Sequence, residues 1–347
     1  MKNKRVVVIG GGVAGRAFAV AASRFPQLSV VVVDPLGHPA FENLAFDRKA
    51  QTYSVSDTVL PRTVWEKGVA TEIDTTAGVV RLRHKQLPFD FVVVASGAKA
   101  SFDRVPGAAQ AALSPWRIDD RMRIVSLFEA ARDVVRRGVS NSVQVSVIGG
   151  GRVGVSVAGH VLDFTSRIQV PVSLVLVEQH SRLLSDLPMS AARAAEQVLV
   201  KRGVTVQCGH RVTAFIEHQA FQTEEGARVP FEICIWAADH DPVCVPVVRD
   251  GKSGGVAGGV TDSHFRVRPH EQIYALGDAA LPPVPHRGPT QGYIFEEALY
   301  LSETIALTAR NHTVLPFAPR RHVDEVIFVG GGYVLSVEAE GCRVKRV

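Results

Sequence analysis

One arrangement occurs twice in this chain, and it restricts the fold more than any other feature. Arg5 to Ile9 is an apolar, β-branched run, Gly10 to Gly15 is a glycine turn, and Ala17 to Ser23 is alanine-rich. Leu28 to Val33 is a second apolar run and ends at Asp34. The same order returns at Val143 to Ile148, Gly149 to Gly154, Val155 to Phe164 and Val172 to Val177, which ends at Glu178. Strands that are apolar on both faces belong to parallel sheets covered by helices, so each copy predicts a strand–turn–helix–strand α/β unit. Two copies make a coarse internal repeat.

Each turn keeps G-x-G-x-x-G spacing: Gly10, Gly12 and Gly15 in the first copy, Gly149, Gly151 and Gly154 in the second. In such a turn the first glycine permits the bend and the second lets the backbone approach a pyrophosphate. The third allows helix and strand to pack closely. The helix that opens there, from Val13 and Ala14 in the first copy, aims free N–H groups and a positive dipole end at a diphosphate. Asp34 and Glu178, at the ends of the next strands, can accept from ribose hydroxyls. A glycine-rich turn without a ligand leaves those acids unexplained.

Other segments fit around this pair. Within Gln86 to Ala98, Phe89 and Phe91 to Val94 read as a strand running into Ala95-Ser96-Gly97, and Glu232 to Ala238 reads as another. Gln272 to Leu276 is a short strand followed by Gly277-Asp278, and Pro289 to Thr308 has helical spacing through Ile294, Ala298, Leu301 and Ile305. A third glycine triplet, between Val326–Val329 and Tyr333–Val337, has no helix after it and predicts a hairpin turn rather than a phosphate site. The length of 347 residues exceeds one hydrophobic core, so two domains are expected. A net charge of +5 is mild: it favours anionic ligands but offers no basic tract for nucleic acid. Cys208, Cys234, Cys244 and Cys342 are scattered, which gives no zinc spacing and no redox pair. Lys2, Lys4 and Arg5 ahead of an apolar stretch imitate a signal peptide, but the fingerprint explains them better, and a cytoplasmic protein without a transmembrane segment or metal is expected.

At this point the chain resembles the two-dinucleotide-domain flavoproteins of the pyridine nucleotide oxidoreductase family. The branch it resembles holds the apoptosis-inducing-factor-like proteins and type II NADH dehydrogenases. The likeness rests on Gly10 to Gly15, Asp34, Ala95-Ser96-Gly97, Gly149 to Gly154, Glu178, Trp236-Ala237-Ala238 and Tyr274 to Asp278, in the family's order. It implies FAD on the first fingerprint, with Gly277 and Asp278 at the ribityl and pyrophosphate, Arg48 nearby and the Ala70 backbone at the adenine. Thr290 and Gln291 would open a helix that points at the flavin. NADH would lie on Gly149, Gly151, Gly154 and Glu178, and electrons would pass from it through flavin to a quinone-like or other small acceptor. The fold implied is a pair of interleaved Rossmann-like domains with a short C-terminal β tail. An FAD domain would comprise residues 1–112 and 239–313, an inserted NAD(P)-type domain 113–238, and a hairpin tail 314–347.

Several positions depart from the family. Glutamates usual on the second fingerprint helix are replaced by Ser156 and His160, and Asp239 stands where glycine is common. Loss of one charge-assisted contact weakens binding by about 1.5–3 kcal/mol, and a side chain at Asp239 is expected to obstruct the cofactor. Asp163 to Pro171 reads as an inserted loop. Asp239, His240 and Asp241 form a candidate acid–base cluster, while His286 and Arg287 precede the flavin-facing helix. Three readings stay open: NADH as donor, a degenerate second domain with the flavin reduced by an organic substrate, or a flavin-binding structural or signalling protein. Disulfide exchange at the flavin is excluded, since Phe41 to Ser56 contains no cysteine. No amphipathic C-terminal helix of the kind that docks type II dehydrogenases on membranes is expected after the hairpin, so a membrane quinone pool is not the expected acceptor. An oligomer is compatible with all three readings.

Overall fold

A computed structural model of the protein describes residues 3–35, 60, 62–281, 291–318, 325–338 and 341–346. Two compact units emerge. The first is drawn from Met1–Glu42, Thr52–Ala98 and Pro242–Arg321, the second from Lys99–Asp241 and His322–Val347.

In the first unit a five-stranded sheet has the order Ile273–Ala275, Phe91–Val94, Lys4–Ile9, Leu28–Asp34, Thr63–Lys67. All of its pairings are parallel, with Lys4 opposite Leu28 and Val6 opposite Phe91. Val6, Val8, Val30, Val32 and Val92 to Val94 are buried, as a sheet covered on both faces requires. Helices Val13–Ala22 and Gln291–Thr308 pack together beside it. A separate sheet joins Ala70–Asp74, Val79–Leu82 and Gln86–Pro88 to Val245–Arg249 and Lys252–Ala257. The strand expected at Phe89 to Val94 is present as Phe91–Val94, and a separate short strand, Gln86–Pro88, precedes it in a different sheet. Between them the Phe89 N–H is turned onto Gly78 and the Asp90 N–H onto Arg5.

The second unit repeats the plan with a parallel sheet in the order Thr205–Cys208, Val172–Glu178, Val143–Ile148, Ile233–Trp236. Its fingerprint helix runs from Arg152 to Arg167. The loop expected from Asp163 thus begins only after Arg167, because Phe164 and Thr165 carry the buried face of the helix onward. Chain reversal follows at Gln169, which has φ +59°.

The C-terminal tail is a three-stranded antiparallel sheet rather than a hairpin: Glu325–Gly330, Tyr333–Glu338 and Gly341–Arg346. Gly331 and Gly332 turn its first pair at φ +66° and +73°, so this triplet is the hairpin turn expected of it. The tail shares the core of the second unit, contributing Ile327, Val329, Leu335 and Val337. Gly159 makes the close approach possible, since a β-carbon there would lie 2.6 Å from the Val329 carbonyl carbon. Asp163 receives the Gly331 N–H at 2.8 Å and an Arg202 guanidinium, while Arg152 binds both Glu325 and Asp186.

His160 stacks on Phe328 of the tail, with ring centroids 4.1 Å apart and planes 19° from parallel. Burial holds its pKa down at about 4 from an ordinary 6.5, against a weaker pull from Asp163. The folded protein therefore resists protonation of this ring, and as pH falls the unfolded chain takes up the proton first. The stability due to this ring is full above pH 6.5 and declines between 6.5 and about 4. The loss amounts to about 3 kcal/mol at most. Denaturant unfolding of wild type and His160→Phe at pH 7 and pH 4.5 checks this. The substituted protein should lose less stability on acidification, and equal losses would refute the assignment.

Candidate functional site

The two glycine turns are built alike, contact for contact. Gly10 has φ +108° and Gly149 φ +105°, and neither has room for a side chain. A β-carbon on Gly10 would overlap the Ala95 carbonyl; on Gly149 it would lie 2.7 Å from the Ala238 nitrogen. A β-carbon on Gly15 or Gly154 would overlap the carbonyl oxygen of Gly10 or Gly149. Gly12 and Gly151 differ from these: nothing lies within 4 Å of a β-carbon at either. Each has extended backbone and precedes a helix with no side-chain cap, so the first-turn N–H groups face open space. That is the chemistry of a diphosphate cradle, negative charge against a positive helix end.

The acids complete both copies. Gly11 donates its N–H to Asp34 Oδ2 at 2.8 Å, and Gly150 donates to Glu178 Oε2 at 2.5 Å. Each bond ties the end of the second strand to the turn, which holds the carboxylate beside the cradle. Trp65 closes the first cradle: a β-carbon on Gly11 would sit 2.7 Å from its ring.

In the first unit, further expected residues converge. Gly277, at φ +62°, opens a short turn at the end of Ile273–Ala275, and a β-carbon on it would lie 2.8 Å from Ala14. This sets Gly277-Asp278 against the start of the fingerprint helix. Ala95 backs Gly10, and Gly97 turns the chain at φ +72°. Ser96 Oγ donates to the Val243 carbonyl at 2.5 Å, and Gly97 accepts from the Val243 N–H at 2.9 Å. Ala70 comes soon after Gly68, whose N–H donates to the Asp34 carbonyl at 3.0 Å. Gln291 begins its helix, while its side chain, along with Arg48, His286, Arg287 and Thr290, lies outside the described residues.

A cleft of about 380 Å³ opens over the second cradle, lined by Gly149, Gly151, Glu178, His180, Arg211 and Asp239 among others. Glu178 is buried. Its Oε1 accepts the His180 N–H at 2.7 Å and meets the His180 ring at 2.5 Å. Asp239 stands on the wall of this cleft with its carboxylate 3.3 Å from Arg104, and its carbonyl receives the Ser101 N–H. His240 instead packs on Trp116, with ring centroids 5.4 Å apart, and Ser156 is half-buried on the helix. His160, read from the sequence as a cofactor-helix position, belongs to the tail contact. Sequence reasoning missed His180, Arg104 and Arg211. His180 follows the strand-ending acid by two residues, a signal that spacing alone would have revealed. Arg104 and Arg211 come from distant loops and carried no signal.

Comparison with known proteins agrees with this architecture. The chain is 26% identical over 321 residues to the external alternative NAD(P)H-ubiquinone oxidoreductase B2, mitochondrial, of Arabidopsis thaliana, covering 80% of this chain and 54% of that protein. It is 24% identical to human ferroptosis suppressor protein 1, covering 79% and 74% respectively. The chain spans about half the length of the plant proteins it matches. NDH2 from Plasmodium falciparum in complex with NADH shares the fold at a TM-score of 0.78 and 16% identity, covering 99% of this chain and 92% of that one. The sulfide:quinone oxidoreductase of Aquifex aeolicus does so at 0.74 and 18%, covering 99% and 87%. Residues 4–296 match the family described as pyridine nucleotide-disulphide oxidoreductase, and the chain belongs to that family.

Proposed function

We propose that this chain is an FAD-dependent oxidoreductase that draws electrons from a nicotinamide dinucleotide and delivers them to a quinone-like small acceptor. The observation that carries this reading is the pair of matched cradles. Each has a glycine with open space above it, an uncapped helix end, and a strand-ending carboxylate tied to the turn.

The first unit is the flavin half in this reading. Gly12 and the helix start at Val13 and Ala14 receive the pyrophosphate, Asp34 the adenosine ribose, and Asp278 the ribityl chain. Ala70 lies on the adenine side. Once bound, FAD supplies two-electron chemistry that no side chain offers. The second unit is the nicotinamide half, with Gly151 at the pyrophosphate and Glu178 at the ribose. Asp239 lies on one wall of the cleft with its carboxylate paired to Arg104 at 3.3 Å. The relatives named for NAD(P)H and ubiquinone support both donor and acceptor class. The four cysteines form no disulfide, in keeping with direct transfer from flavin to acceptor rather than through a dithiol. Among the described residues, no helix is long and apolar enough to cross a membrane.

Anaerobic titration of the yellow protein tests the reading. NADH should bleach the flavin absorbance within seconds, and a short-chain quinone should restore it. Retained flavin that neither NADH nor NADPH bleaches would sink the proposed donor.

A further inference from the structure

The second cradle carries a feature that bears on which nicotinamide nucleotide it takes, and the argument rests on the function proposed above. A lone carboxylate at the end of the second strand favours a ribose with free hydroxyls and repels a 2′-phosphate. Glu178 is not alone. Its Oε2 accepts from Gly150 at 2.5 Å, while Oε1 meets both the backbone N–H of His180 at 2.7 Å and the ring Nδ1 at 2.5 Å. A carboxylate oxygen has about two acceptor directions, so Oε1 is filled and one position remains, on Oε2.

The His180 side chain is 57% exposed and the Glu178 side chain 8%, so the ring sits over the carboxylate at the rim of the cleft. The neighbouring loop is fastened to this spot. Gly209 donates its N–H to the His180 carbonyl at 2.7 Å, and His210 donates to the Glu178 carbonyl at 3.0 Å. The attachment brings Arg211 onto the same wall, exposed and without an ion pair among the described residues. Of the other charges lining the cleft, His210 faces Glu225 at 3.2 Å and Arg104 faces Asp239, while Glu224, in the turn after Ala220–Thr223, donates its N–H to the Arg211 carbonyl at 2.8 Å.

We propose that His180 is the positioning residue that sets nucleotide preference: by occupying Oε1 of Glu178, and with Arg211 beside it, it opens the second site to a 2′-phosphate. The site therefore accepts NADPH as well as NADH. His180 lowers the preference for free ribose hydroxyls by filling an acceptor of Glu178, and the Arg211 guanidinium supplies donors to the phosphate.

The test is binding of ADP-ribose and 2′-phospho-ADP-ribose to the flavin-loaded full chain, followed by calorimetry, with no redox turnover. Wild type should bind the two probes within about tenfold of each other. His180→Ala should weaken the phosphorylated probe by about tenfold or more while ADP-ribose holds or tightens. Arg211→Ala should weaken the phosphorylated probe alone. Continued ADP-ribose binding shows that each variant has kept its fold. Wild type that rejects the phosphorylated probe outright, or a ratio unmoved by both substitutions, overturns the inference and leaves the nicotinamide reading standing. Failure of both probes to bind wild type overturns that reading and the inference with it.

Discussion

Gly12→Ala is expected to give a folded protein that purifies without flavin. The backbone of Gly12 is extended at φ −67°, which alanine adopts freely, and nothing lies within 4 Å of the added carbon. Folding therefore loses nothing. The methyl group instead enters the space above the uncapped helix end, where the pyrophosphate must reach the backbone N–H groups. Each charge-assisted hydrogen bond lengthened or lost there weakens binding by about 1.5–3 kcal/mol, so two lost contacts already mean a hundredfold or more. Flavin absorbance relative to protein, together with a thermal melt, reads both halves of the expectation. Gly15→Ala provides the contrast: its β-carbon would overlap the Gly10 carbonyl, so stability should fall along with flavin. Gly151→Ala should keep the yellow colour and lose nicotinamide binding, because the open space it fills lies over the second cradle. A stoichiometrically yellow Gly12→Ala protein would remove the first cradle from consideration as the FAD site.

Gly159→Val should destabilise the second unit by about 5 kcal/mol, a large share of the stability of any domain. On its helix alone the residue gives no such warning. Replacing a helical glycine with alanine normally gains up to about 1 kcal/mol. Here the backbone of the tail lies against it. A β-carbon would come within 2.6 Å of the Val329 carbonyl carbon and 2.7 Å of the Gly330 nitrogen, and backbone cannot rotate away. The sheet has to lift, which draws Ile327, Val329, Leu335 and Val337 out of the shared core. Full exposure would cost about 1.5–3 kcal/mol for each, and partial relaxation brings the total down to the expected value. Gly159→Ala supplies the test of sign. A lower melting temperature supports the tertiary contact, and a raised one would mean that propensity governs and the tail does not bind there.

The cradles were legible because their chemistry is local. Glycine spacing, the helix that follows and the acid at the next strand end all lie within one stretch of chain, and each is forced by the close approach of backbone to backbone. Gly277-Asp278 was legible for the same reason, as a turn at a strand end. Regular elements further from the cradles were harder. The helix Ile118–Arg136 buries Ile124, Val125 and Phe128 at helical spacing, yet it lies between motifs, where no fingerprint marks it. The sheet joining Ala70–Asp74 to Val245–Arg249 pairs segments far apart in sequence, and no local pattern announces such a pairing.

The sequence by itself determined that two nucleotide-binding α/β units are present, because sterics at Gly10, Gly15, Gly149 and Gly154 and the burial of β-branched strands admit little else. Only the tertiary structure decided what His160, Asp163 and Gly159 are for. They stand on a cofactor-type helix, but the face they present is covered by the terminal sheet, and a residue's role follows from which surface comes to meet it. The same holds for Glu178. Its position makes it a ribose acid, while its freedom to act as one depends on His180, whose ring reaches the carboxylate only because the chain turns back on itself there. Backbone sterics are written into neighbouring residues. Side-chain partners become fixed when separate segments pack.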